Sequence, residues 1–580
     1  MAMAVQQIHP IAHLPLVLGV LRRLEVATVI DRLIPPHPAH VLSCGRGVEA
    51  LVLAILDGDH ALYKVGKRLE ERGMVALLQP GLTRASLNDY RLGHILEALF
   101  AANLNQVYSA VALKALEVYT ILTPWVHQDT TTIALYGAYA DDPQTLGAPR
   151  PAYGHSKDGR DDLKQVLLSL GVSGDGGLPL RVGLRDGNRS DSIETPLAIE
   201  ECLALGLDGV RGIVADSKAY SRRTLGLCLE HGIGLVTLVP RTCAVRQELE
   251  AWGQQQSVLP LLVEKPGRTQ DEGPRHWHGQ SVLRQVEVEY SDGRVVSEAL
   301  RFVVVHSSQL AQQQTQAYTA AQAKEAEAIT AHVKHVQARW FACEADAEAA
   351  IAEYEHRGPG RRGRRPQVWR YHVGRYRIVA ATRRTRRARR GRPAKTEPLP
   401  TESGYRLMVE VEALANLEED NGWTVLATTV GAEVCSDAEI LEVYQEQHTT
   451  VEPGFRWIKN PAAIAPVWLE KPERIAALAM LTVVGLLVYS VIQRQIRLYL
   501  RTHEQQLPGN KGLTATPTAA VVLALFAQVA LVQLWIDEQT VMQIAGVHHH
   551  HLLVCAALGL DSSWYAVPSA HKIDQFSQSP

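Results

Sequence analysis

Between Pro124 and Pro240 the chain alternates short apolar, β-branched runs with helix-capable stretches. This order restricts the fold more than any other feature. Trp125-Val-His-Gln-Asp129-Thr-Thr-Thr-Ile133 reads as a strand, because β-branched side chains pack well on a pleated surface. Val166 to Val172 and Leu178 to Leu184 are two further apolar runs, joined as a hairpin by Ser173-Gly-Asp-Gly-Gly177. Ser190 or Asp191 caps a helix that runs to about Leu205. Gly212-Ile-Val-Ala-Asp216 is the next strand, a helix follows from about Ser221 to His231, and Gly234 to Val239 is strand again. A three-stranded meander followed by helix-linked strands predicts an α/β core whose later strands add in parallel.

Residues 1–118 read as helical, with breaks at Pro35-Pro36 and Pro80-Gly81. The first part of the core takes residues 119–242. Residues 243–420 read as a β-rich insertion: strands at Ser281 to Tyr290 and Val295 to His306, a helix from about Leu310 to Tyr354, and a strand at Tyr405 to Val411. Residues 421–500 return to the core, beginning with the strand-like Trp423 to Val430. Ser436-Asp-Ala-Glu439 is a capping box that opens a long helix leading to Glu452. Ile475 to Ile492 is apolar and about as long as a bilayer requires. It follows closely on a charged helix and is flanked by Arg474 and Arg494, so it reads as a buried core helix and no membrane is expected. Residues 501–580 are expected to be helical, with a loose polar tail from Pro568.

The formal net charge of −2 conceals a strong asymmetry. Arg357 to Lys395 holds 15 Arg, 1 Lys and no acidic residue, so this segment carries +16 and the rest of the chain −18. A concentrated basic patch is an electrostatic footprint for a polyanion. Within it, Arg390-Gly-Arg392-Pro393 has the form of an AT-hook core, which enters an A/T minor groove. Trp369, Tyr371 and Tyr376 interleave with the arginines, either as stacking platforms for unpaired bases or as side chains of the insertion's own core. The seven cysteines are scattered with no C-x-x-C pair, which suits a reducing cytosol and no zinc site. The N-terminus lacks the basic start of a signal peptide. His548 to His551 point in different directions if helical, so they read as helix-end residues and not as ligands of one ion.

Glu452, Arg456 and Lys459, spaced i, i+4, i+7, fall on one side of a helix. With Asp129 and Asp216 they form a candidate constellation: three carboxylates on three elements of one α/β core. Gathered carboxylates repel one another, and magnesium relieves this because it prefers oxygen ligands and keeps positions open for water and phosphate. Two such ions about 4 Å apart activate an attacking oxygen and stabilise a departing one at phosphorus. His127, beside Asp129, reads as a packing residue.

Several stretches together resemble bacterial insertion-sequence transposases of the DDE type, in the branch with a β-rich insertion before the glutamate. They are His127-Gln-Asp129-Thr-Thr-Thr, Tyr153-Gly-His-Ser-Lys-Asp-Gly-Arg-Asp-Asp-Leu-Lys-Gln165, Leu178-Pro-Leu through Gly187-Asn-Arg-Ser-Asp191, Val214-Ala-Asp216-Ser-Lys218 and Val451-Glu452-Pro-Gly-Phe455-Arg-Trp-Ile-Lys459. Two positions depart from the branch's Tyr–Arg–Glu–Lys signature: Tyr444 stands eight residues before Glu452, not seven, and position 448 is His, not Arg. Ser217 also replaces the Arg that often follows the second aspartate.

The resemblance implies an RNase H-like catalytic core with a β-rich insertion domain and helical N-terminal and C-terminal regions. It implies DNA cleavage and strand transfer at element ends by Asp129, Asp216 and Glu452 with Mg2+, for which Mn2+ substitutes. Lys459, Arg456, Arg390, Arg392 and Tyr444 are the expected DNA contacts, and residues 1–118 the expected DNA-end recognition region. The partners are element ends and target double-stranded DNA, bound by a homodimer, and the location is cytoplasmic and nucleoid-associated. A nuclease without strand transfer and an inactive DNA-binding relative are the alternatives.

Overall fold

A computed structural model describes residues 3–136, 139, 147–157, 159–206, 209–267, 273–355, 369, 371–384, 401–413, 422–459, 469–536, 539–561 and 565. Arg390, Arg392 and the rest of the basic segment beyond 369 and 371–384 lie outside the described residues. The chain divides into two units, one of Met1–Gln247, Ser281–Val303 and Val425–Pro580, the other of Glu248–Gln280 and Val304–Thr424.

In the first unit, β1 (Trp125–Leu135), β2 (Lys164–Ser173) and β3 (Pro179–Asp186) form the antiparallel meander. β4 (Gly212–Ala215) pairs in parallel with β1, and β5 (Gly234–Leu238) in parallel with β4. Helices α1 (Asp191–Ala204) and α2 (Arg222–Glu230) lie between the strands they join in sequence. The order 3-2-1-4-5, with the first three strands antiparallel and the last two parallel to the first, is that of an RNase H-like core. Every residue of β2 is buried, as expected for a strand covered on both faces. Beyond β5 the sheet continues through β8 (Trp423–Thr428), β7 (Val295–Ser307) and β6 (Arg275–Glu289), in the parts of those strands that belong to this unit. Leu426 of β8 stands opposite Leu238 of β5.

The capping box forms: the Ser436 hydroxyl accepts from the Glu439 N–H, and the Glu439 carboxylate accepts from the Ser436 N–H at 2.7 Å. The helix it opens is not one long rod. α3 (Asp437–Thr450) stops, Val451 turns with φ −90° and ψ −47°, and α4 (Glu452–Ile458) restarts. Pro453 explains the break, because it has no N–H for the preceding turn and its ring clashes there.

Arg301 of β7, buried, anchors the start of α3. Its guanidinium donates to the Val430 and Cys435 carbonyls at 3.1 and 2.8 Å and to one oxygen of Asp437. The other Asp437 oxygen accepts from the Ser281 N–H of β6 at 2.9 Å.

The apolar run of residues 475–492 lies inside α5 (Pro472–Thr502), and its most apolar window is 94% buried within the protein. Leu481 of α5, Leu51 and Leu96 of the N-terminal helices and Val172 of β2 belong to one continuous apolar cluster.

The helical expectation for the two ends needs correction. Ala530–Ile536 and Gln539–Ala545 form an antiparallel hairpin, to which Met3–His9 adds as a third strand. Leu531-Val-Gln-Leu-Trp-Ile536 has the β-branched and aromatic content of a strand, whereas the partner of Met3–His9 is too remote in sequence for a local pattern to reveal.

In the second unit the expected helix over 310–354 is two, Ser308–Ala338 and Glu344–Glu355. Phe341 instead exchanges backbone hydrogen bonds with Tyr405 at 2.9 and 3.0 Å. His372–Arg384, inside the basic segment, is a strand paired over its whole length with Thr401–Ala413. Arg375, Arg377 and Arg383 there stand 3.6, 3.5 and 2.9 Å from Glu412, Glu410 and Glu402, so part of the basic charge is balanced across the ladder. Trp369 and Tyr376 pack on Leu407 and Val409, and Tyr371 meets Tyr318 edge-on at 4.9 Å, so these aromatics belong to the unit's own packing.

Two substitutions test this account. Leu481→Ala, in the fully buried seam of α5, is expected to lower the unfolding free energy by about 2–5 kcal/mol in urea denaturation. Arg301→Leu strands the Asp437 carboxylate at the α3 start and is expected to cost about 3–5 kcal/mol, with an unchanged melting midpoint ruling the anchor out.

Candidate functional site

Asp129 sits on β1 and Asp216 just past the end of β4. The parallel register pairs Gln128 with Ala215, so the next residue on each chain is an aspartate. Neighbouring strands are about 4.8 Å apart, which puts the two side by side. Each carboxylate turns back onto its own chain: Asp129 Oδ1 accepts from the Thr130 N–H at 2.7 Å, and Asp216 Oδ1 from the Lys218 N–H at 3.0 Å. Asp216 thereby caps a single turn of 3-10 helix at Ser217–Ala219, and the Thr237 hydroxyl of β5 donates to its carbonyl at 2.6 Å.

Behind Asp129, β1 rests on a buried polar network. Gln128 Nε2 donates to the Ser169 hydroxyl at 2.9 Å, and Arg181 Nη1 donates to the same hydroxyl at 2.9 Å and to Gln128 Oε1 at 3.4 Å. Arg181 is in turn paired with Glu194 at 3.1 Å and with Glu201. An unpaired charge at this depth would be costly, and the partners remove that cost. His127 is fully buried, and burial lowers its pKa to about 4, so it is a neutral packing residue.

A cleft of about 770 Å³ opens in front of Asp129, lined by Asp129, Thr130, Thr131, Lys157, Glu452, Phe455, Arg456 and Lys459. α4 contributes its wall: Phe455 and Ile458 are buried beneath, leaving Glu452 and Arg456 exposed on the cleft side. On α3, Tyr444 is half-buried, and its pKa is raised to about 12, by burial first and then by the negative charges of Asp216 and Asp129. Its phenol therefore stays protonated near the aspartates. The Gln447 side chain donates to the Gln128 carbonyl at 3.4 Å, tying α3 to β1. The side chain of His448 lies outside the described residues.

Charge spacing along the sequence did not single out Lys157. Its Nζ lies 3.9 Å from Asp129 Oδ1. The polar loop that carries it fits its neighbours closely: a Cβ on Gly187 would fall 1.9 Å from the Gln165 carbonyl oxygen.

The donors suit a hard divalent cation, being carboxylate oxygens with two already adjacent. Among the described residues no three His, Cys, Asp or Glu side chains converge tightly enough to form a cation site as they stand. The aspartate pair is therefore the formed part of the site, with Glu452 sharing the cleft of Asp129. The histidine run at 548–551 is a helix start, where the His551 ring accepts from the His548 N–H at 2.8 Å.

Residues 134–488 match the Transposase DDE domain family, a stretch that begins just after Asp129 and takes in Asp216 and Glu452. Residues 6–113 match a domain of unknown function, DUF4277. No curated protein matches the chain. Among solved structures, the cryo-EM structure of a piggyBac transposase synaptic complex with hairpin DNA is similar over 97% of this chain and 84% of that one, at 7% identity and a TM-score of 0.36, a likeness too distant to carry weight. The family match spans more than half of the sequence, and the chain belongs to the DDE transposases.

Proposed function

We propose that this transposase cuts DNA at the ends of a bacterial insertion sequence and joins the freed ends to target DNA, with Asp129, Asp216 and Glu452 as its cation ligands. The observation that carries this reading is the aspartate pair, in register on neighbouring strands, beside a cleft that holds Glu452 among the cations Lys157, Arg456 and Lys459. An acidic floor calls for a metal ion and a basic wall for phosphate. Members of the family generally use divalent ions; Mg2+ suits the all-oxygen donors, and Mn2+ is expected to substitute. Such ions supply charge relief at the attacking and departing oxygens.

The protein's own groups do the positioning. Asp129 and Asp216 hold one side of the site at the sheet, and Glu452 holds the other from α4. Arg456 and Lys459, one and two turns on, orient the phosphodiester and neutralise its charge. Tyr444 offers a protonated hydroxyl beside the aspartates. In the first step a water oxygen attacks phosphorus, loses its proton, and the broken P–O bond leaves a 3′-hydroxyl on the element. In the second step that hydroxyl attacks a target phosphorus, loses its proton, and displaces a target 3′-oxygen. Each step breaks one P–O bond and forms one, so no covalent protein intermediate is needed.

Arg390 and Arg392 are assigned to the DNA backbone and minor groove, and residues 1–118 to recognition of element ends. Two ends must be handled together, so a homodimer on DNA is the working form, in the cytoplasm at the nucleoid.

Incubation of the purified protein with Mg2+, 3′-hydroxyl end DNA and a plasmid distinguishes joining from cutting alone. Asp129→Ala, Asp216→Ala and Glu452→Ala are each expected to reduce cleavage by at least about 1,000-fold while DNA binding persists. Retained cleavage in any of the three sinks the assignment of that residue. Arg456→Ala and Lys459→Ala are each expected to weaken DNA binding and to reduce the slope of log affinity against log salt by about one. An unchanged slope shows that the residue does not contact phosphate.

A further inference from the structure

Lys157 is held in place from both ends. Its backbone N–H donates to the Thr132 hydroxyl at 3.2 Å, and its Nζ donates to the Thr130 carbonyl at 2.7 Å and the Thr130 hydroxyl at 2.5 Å. The loop around it is closed on itself. The Ser156 N–H donates to Asp161 at 2.9 Å, and Gln165 Nε2 donates to the His155 and Gly187 carbonyls at 3.3 and 2.9 Å. Gly154 packs so tightly that a Cβ there would come 2.4 Å from the Gly187 oxygen. The ammonium is thus delivered by a folded loop to a point 3.9 Å from Asp129 Oδ1, and its side chain keeps 30% of its surface open.

We propose that Lys157 is the resident counter-charge of Asp129, which a divalent cation must displace and which a DNA phosphate draws away. This rests on the reading of Asp129 as a cation ligand. A cation ligated by Asp129 would lie within a few ångströms of a fixed positive charge. At about 4 Å the repulsion between a doubly charged ion and the ammonium weakens binding about thirtyfold even at the dielectric of water, and more in a half-buried cleft. A phosphate in the cleft gives Lys157 a new anionic partner beside Arg456 and Lys459, and removes the repulsion. Cation and DNA then each tighten the binding of the other, because such coupling is reciprocal. The site is thereby kept weak for metal until substrate arrives.

The test is Mn2+ affinity, measured by titration calorimetry on the full-length protein with and without a short DNA duplex of arbitrary sequence. Without DNA, Lys157→Met is expected to bind Mn2+ about thirtyfold more tightly than the wild type. Lys157→Gln, which keeps a donor for the Thr130 carbonyl, is expected to show the same gain. The duplex is expected to tighten Mn2+ binding to the wild type more than to either variant, because only the wild type has a lysine charge for the phosphate to draw away. Equal or weaker Mn2+ binding by both variants overturns the proposal, as does an undiminished DNA effect in them. Asp129→Asn separates the two levels. If it loses Mn2+ binding while the Lys157 variants show no gain, only the counter-charge role fails. If it keeps wild-type affinity, the cation-site reading fails and this inference with it.

Discussion

Two carboxylates held about one strand spacing apart repel each other, and much of the arrangement around them serves to keep Asp129 and Asp216 there. The parallel pairing of β1 and β4 sets the distance. The backbone N–H groups of Thr130 and Lys218 each donate to one carboxylate. The buried Arg181–Glu194–Glu201 network fixes Gln128, immediately before Asp129, from the other face of the sheet. The pair is therefore set in a rigid frame, and the frame is a sheet whose central strands are buried on both faces.

The third carboxylate is delivered differently. Glu452 comes on a two-turn helix, separated from α3 by the turn at Val451. α3 itself is fixed at its start by Arg301 and along its length by Gln447. The cleft-facing side of α4 goes with the burial of Phe455 and Ile458. Arg301 lies on β7, 136 residues before Asp437, so the start of the Glu452-bearing segment depends on residues far away in the sequence.

The electrostatic balance of the cleft follows from this division. One side is acidic and belongs to the sheet; the other combines a carboxylate with Arg456 and Lys459 on α4. Lys157 adds a positive charge on the acidic side. The opposite surroundings that a metal ion and a phosphate would each need thus lie within one cleft.

The α/β meander, its helix-linked parallel strands and the places of Asp129 and Asp216 on them were legible in the sequence, because strand runs and their capping residues are local signals. So was the buried character of residues 475–492, from the charges that bracket that run. The break before Glu452 has a local signal in Pro453, whereas the terminal three-stranded sheet has none, because Met3–His9 pairs with residues near the other end of the chain. Lys157 has no such signal, since nothing in its spacing relates it to Asp129. By itself, the sequence determined which segments become strands and helices and which residue types supply oxygen donors and cations. Only the tertiary structure decided the register that sets Asp129 beside Asp216, the loop fold that brings Lys157 to Asp129 and the burial that turns Glu452 toward the cleft. Those depend on pairing and packing between distant segments, which no local pattern encodes.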